Sequence, residues 1–131
     1  MEGLRGALYT EGLGDDRAVL ARTPFGLVAI LSDGANGMSG AAQAAEDLIS
    51  GVLQAMRDRR TLPDVSDVTS VLVELDRKIV QRDSCGEASV VVVVVGGTQL
   101  RGASVGEGQA WLLDDASGVE LTVNQRRRPL L

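Results

Sequence analysis

Ile30-Leu31-Ser32-Asp33-Gly34-Ala35-Asn36-Gly37-Met38-Ser39-Gly40 is where the chain changes its backbone habit. Residues 28–31 are apolar and partly β-branched, the pattern of a buried strand. Gly34, Gly37 and Gly40 then let the backbone turn sharply and expose its own polar groups. Beyond them Ala41, Ala45, Leu48, Val52 and Met56 recur at helical spacing, and Ala42, Ile49 and Leu53 widen the stripe. A strand therefore passes into a helix through a glycine-rich turn, with Asp33 at the point of exit. A carboxylate beside a bare glycine carbonyl is a good pair of ligands for a hard cation. The other reading is a plain turn in which Asp33 caps its own backbone.

Working outward, residues 4–10 read as a first strand and Gly12-Leu13-Gly14 as a turn. Residues 17–22 read as a second strand. Thr23-Pro24-Phe25-Gly26 leads into a third, 27–32. Such short connections predict antiparallel neighbours. On the other side, Ser39 is suited to cap the helix, and Arg57, Arg59 and Arg60 complement the negative end of its dipole. Thr61-Leu62-Pro63 ends it. Asp64 or Ser66 can cap a second helix with Val68, Val71, Leu72, Leu75 and Ile79 as its apolar stripe, closed by Asp83-Ser84-Cys85-Gly86.

Residues 88–95 include the unbroken valine run 90–95. Without alternation, such a strand should be buried on both faces and lie in the middle of a layered structure. Gly96-Gly97 or Gly97-Thr98 turns the chain, residues 100–105 return, and Gly106 to Gly108 turn it again. Residues 109–114 and 119–123 are further strands around Asp115-Ala116-Ser117-Gly118. The order is three strands, two adjacent helices, then four strands. It predicts an α+β layered sandwich, α/β/β/α, of antiparallel sheets. Strand–helix alternation is absent, which argues against a doubly wound nucleotide fold.

The 131 residues suit a single domain, 1–131, and the 44% hydrophobic content argues against disorder. The aromatics are Tyr9, Phe25 and Trp111, so the core must be aliphatic. A net charge of −5 argues against nucleic acid as partner. The cluster Arg126-Arg127-Arg128 has no interleaved aromatics and reads as a solvated turn. Cys85 is the only cysteine, which fits a reducing compartment. Histidine is absent, so Ser-His-Asp and Cys-His mechanisms and histidine-ligated zinc are excluded within this chain. The N-terminus lacks a signal peptide's apolar region, and the valine run is too short to span a bilayer. The expectation is a cytoplasmic protein with no membrane partner.

Gly14-Asp15-Asp16-Arg17 places two acids at the start of the second strand, and Asp33 ends the third. Carboxylates about 5 Å apart repel by roughly 3 kcal/mol at an effective dielectric near 20. A divalent cation relieves that repulsion, and all-oxygen ligands favour Mg²⁺ or Mn²⁺ over zinc. A carboxylate bridging two ions about 3.5–4 Å apart could generate a nucleophilic hydroxide that attacks a phosphate ester. An exposed turn is the structural alternative for the acid pair.

The acid pair, Asp33-Gly34 before a helix, the valine strand, and Val105-Gly106-Glu107 at a tight turn follow one another in an order with a precedent. That order resembles the type 2C class of metal-dependent protein serine/threonine phosphatases, which includes the stage II sporulation protein E-like branch. The resemblance runs from about Arg5 to Leu131. It implies hydrolysis of phosphoprotein monoesters by a metal-activated water and two Mg²⁺ or Mn²⁺ ions. It further implies Asp33 as the bridging ligand, Gly34 as a carbonyl ligand, and Asp16 and Asp15 as the acid pair, with Asp16 the better ligand of the two.

The departures matter equally. Glu11 stands where many members carry a phosphate-binding arginine, and Glu107-Gly108-Gln109 where many read Asp-Ser-Arg. The late Ser-Asp-Gly and Asp-Asn segments have no counterpart, since no acid follows Glu120. This pattern is what a chain truncated at its C-terminal end would show. Exposed sheet edges would then favour a homodimer. A catalytically inactive phosphatase-like regulatory or interaction module is the alternative function, and a simple acidic-loop cation binder a third.

Overall fold

The computed structural model describes Gly14 and residues 16–34, 40–81 and 87–123. The strand expected at 4–10, Asp15, Ser39, Cys85 and Arg126 to Arg128 lie outside the described residues.

Strand β1 (Asp16–Thr23) and strand β2 (Gly26–Gly34) form an antiparallel hairpin. Helices α1 (Ala41–Met56) and α2 (Val65–Val80) follow, then strands β3 (Ala88–Gly96) and β4 (Gln99–Val105). These strands make one antiparallel sheet in the order β1-β2-β3-β4. The expected α+β architecture, antiparallel sheets with an adjacent helix pair, is present. The valine strand β3 is internal, as its lack of alternation predicts, between β2 and β4.

Strand period decides what each face sees. Val28, Ile30 and Ser32 of β2 stand in register with Val94, Val92 and Val90 of β3, and all are buried. The apolar ones among them join Ala44, Leu48, Val52 and Met56 of α1 and Val68, Leu72 and Ile79 of α2 in a single core. The other face carries Ala18, Leu20, Leu27, Ala29, Val93 and Val95, all half-buried, and Leu31, which is exposed. Burial on both sides of β3 is therefore complete at Val90 to Val92 and partial at Val93 and Val95.

The helix ends differ from expectation in an instructive way. The N-cap of α1 is Gly40, at φ 80°, with no side-chain cap hydrogen bond, in place of Ser39. A left-handed backbone there favours glycine. The expected basic last turn is also displaced: α1 ends at Met56, and Arg57 is its C-cap. Arg59 instead reaches back, with Nε donating to the Ala55 carbonyl at 3.4 Å and Nη1 3.3 Å from Asp67 of α2. Helix α2 has a full capping box. Asp64 accepts from the Asp67 N–H at 2.8 Å, and Asp67 accepts from the Asp64 N–H at 3.1 Å. Ser66 supports the cap by donating to Asp64 at 2.7 Å. The Ser66 hydroxyl and then the Asp67 N–H hold the Asp64 carboxyl below its usual range.

Strands β5 (Trp111–Leu113) and β6 (Gly118–Glu120) are shorter than the sequence pattern suggests. They pair with each other in a separate two-stranded sheet. Asp114 organises their turn, accepting from the N–H groups of Ala116 at 2.8 Å and Ser117 at 2.7 Å. Those two bonds lower its pKa. No helix among the described residues is long and apolar enough to cross a membrane.

Candidate functional site

Asp16, Asp33 and Gly34, three of the residues singled out from sequence, lie at one end of the four-stranded sheet. The β1–β2 register sets Asp16 directly opposite Asp33. Side chains of directly opposed residues leave the same face with Cβ atoms about 5 Å apart. Both acids are exposed, on the face away from the helices. Gly34, the next residue, is buried and pairs with Ala88. Asp15 lies outside the described residues.

On the far side of Asp33 its partner is Ser89 of β3. Directly behind it, the buried Ser32 hydroxyl donates to the Ser89 carbonyl at 2.9 Å. That bond crosses between strands and fixes the end of β2 against β3. The turn after β4 closes on the same place. Gly106 has φ 90°, and a Cβ there would lie 2.6 Å from the Ser89 Cβ. The Val105-Gly106-Glu107 turn thus packs against the strand pair that carries Asp33.

Arg17 lies on the helix side, its register partner being the buried Ser32. Its Nη1 donates to the carbonyls of Gly14 and Asp16, each at 2.8 Å. Its Nε lies 3.2 Å from Glu46 of α1. The start of β1, with Asp16, is thereby tied to the first helix.

Like charges directly opposite each other destabilise a strand pair. Two neighbouring carboxylates with open solvent access match what Mg²⁺ takes, one or two carboxylates with water completing the shell. The donor set Asp16 and Asp33 fits such an ion. Among the described residues no group of three or more acidic, histidine or cysteine side chains is gathered to hold a metal.

Sequence reading missed Ser89 and Arg17. Ser89 reads as a core or turn residue until the strand register is known. Arg17 is recognisable only as a charge near the acids, and its bonds to two carbonyls depend on the corner's conformation.

No protein-family model matches the chain, and no curated protein matches it in sequence. Solved structures do match. A bacterial serine phosphatase superposes with a TM-score of 0.69 at 11% identity, covering 83% of this chain and 48% of that one. An arginine-to-glutamate variant of a bacterial serine phosphatase gives 0.67 at 13% identity, covering 82% and 53%. The serine/threonine phosphatase Stp1 from Staphylococcus aureus gives 0.69 at 12% identity, covering 92% and 56%. The chain thus has a fold similar to bacterial serine/threonine phosphatases and spans about half the length of the ones it matches.

Proposed function

We propose that this chain carries a metal-dependent phosphoprotein serine/threonine phosphatase site of the type 2C kind, the class that includes the stage II sporulation protein E-like branch. The observation that carries the reading is the placement of Asp16 opposite Asp33 at the sheet end, within a fold shared with bacterial serine/threonine phosphatases. In this reading Asp33, the Gly34 carbonyl, Asp16 and Asp15 would hold Mg²⁺ or Mn²⁺, as the resemblance to type 2C phosphatases implies. The ions, when bound, supply an activated water and neutralise charge at the phosphoryl group. The chain's own part is to hold the carboxylates of Asp16 and Asp33 on one face of the sheet end. Ser32 and the Gly106 turn fix the end of the strand on which Asp33 stands. A phosphoserine or phosphothreonine segment would approach from the open face, where both acids are exposed.

A second reading is a catalytically inactive phosphatase-like module. It is favoured by the acidic set, which stops at two carboxylates among the described residues. A homodimer through an outer strand suits either reading, because β1 and β4 are the outer strands of the sheet among the described residues and Val105 on β4 is exposed.

Mn²⁺ titration by calorimetry beside p-nitrophenyl phosphate hydrolysis separates the two. Binding with turnover supports the phosphatase. Binding without turnover supports the inactive module with a partial site. Absence of binding at millimolar Mn²⁺ overturns the metal reading.

A further inference from the structure

We propose that Arg17 is a positioning residue for the candidate cation site: it bonds the carbonyls of Gly14 and Asp16 so that Asp16 keeps its place opposite Asp33. The inference rests on the cation reading above. Its geometry is independent of that reading. One guanidinium nitrogen bonds two carbonyls, those of Gly14 and Asp16, which bracket Asp15 in sequence. The Nε of the same side chain lies 3.2 Å from Glu46 of α1. The corner is thus fixed at both carbonyls and referred to a helix that belongs to the core. Arginine suits this task because its donors form a rigid planar fork, whereas a lysine ammonium is one point on a flexible stem.

A cation beside a metal site has two opposed effects. Its charge repels the incoming ion, so charge alone predicts that removing Arg17 tightens binding. Its hydrogen bonds order the ligands, so positioning predicts that removal weakens binding. The sign of the change therefore decides between the two. Global stability should move little in either case, because the Arg17–Glu46 pair is partly solvent-exposed.

The test uses the full 131-residue chain. Mn²⁺ affinity is measured by calorimetry for the parent, Arg17→Gln, Arg17→Lys and Asp33→Asn, with thermal unfolding and amide exchange recorded without metal. We expect both Arg17 variants to bind Mn²⁺ about tenfold more weakly, the size usual for loss of a group that orients a ligand. Amide exchange in the 14–17 corner should quicken in both, with melting temperatures close to the parent's. Tighter binding by Arg17→Gln, or unchanged binding by Arg17→Lys, overturns the proposal. Unchanged exchange at the corner overturns it even if no Mn²⁺ binds. Loss of binding in Asp33→Asn with parent-like Arg17 variants would sink the positioning role alone. Unchanged binding in Asp33→Asn would sink the cation assignment itself.

Discussion

Asp33 and Asp16 occupy one strand register, and their chemistry follows from that proximity. Replacing Asp33 by Asn removes one of two opposed charges. Folding stability should change by less than about 1 kcal/mol, while Mn²⁺ affinity falls at least tenfold; urea denaturation and calorimetry on the same protein check both. Asp33 and Gly34 are legible in sequence because strand, acid and glycine turn are contiguous. Ser89 is not legible, because Ser32 and Ser89 meet 57 positions apart and only the β2–β3 pairing joins them. Asp16 was readable as one of an acid pair. Its being opposite Asp33 required the register.

Elements are held by their ends as much as by their faces. Asp64 caps α2, and its carboxyl titrates below the ordinary value of 3.8 because Ser66 and the Asp67 N–H bond its charged form. A depressed folded pKa adds stability that is present above the unfolded value and is lost as pH falls through the folded one. Asp64→Ala should therefore lower the melting temperature at neutral pH, and the difference from the parent should shrink as pH falls below 3.8; melts across that range test this. At the other kind of end, Gly106→Ala introduces a Cβ at φ 90° and against Ser89. It should cost about 1–3 kcal/mol, read from denaturant midpoints. The main stripe of α1 was legible, since Ala41, Ala45, Leu48, Val52 and Met56 are all buried, although buried Ala44 fell outside it. The helix start was not, because Gly40 caps by backbone conformation, a property that side-chain capping rules do not address.

For the whole molecule, the order of strand groups around two adjacent helices was enough to give the α+β class. The division of the strands into two sheets was not. Residues 109–123 show apolar strand patterns like the rest, and nothing in them says which neighbour they will bond. Among the described residues the helices pack on one face of the sheet, and Met56 lies fully buried in that core. Met56→Ala should cost about 2–5 kcal/mol through the cavity it leaves, measurable by denaturant unfolding.

Among the described residues the β5–β6 hairpin shares no ladder with the four-stranded sheet, and Trp111, Leu112, Leu113 and Val119 are all exposed. A two-stranded ribbon held by few buried groups opens on its own schedule. The consequence is one of timing. Its amides should exchange with solvent well before those of β2 and β3, and a brief protease digest should cut within 114–117 while the helix-backed sheet stays whole. Equal protection of Leu112 and Val92 in a hydrogen-exchange experiment would mean that the ribbon and the sheet unfold as a single unit.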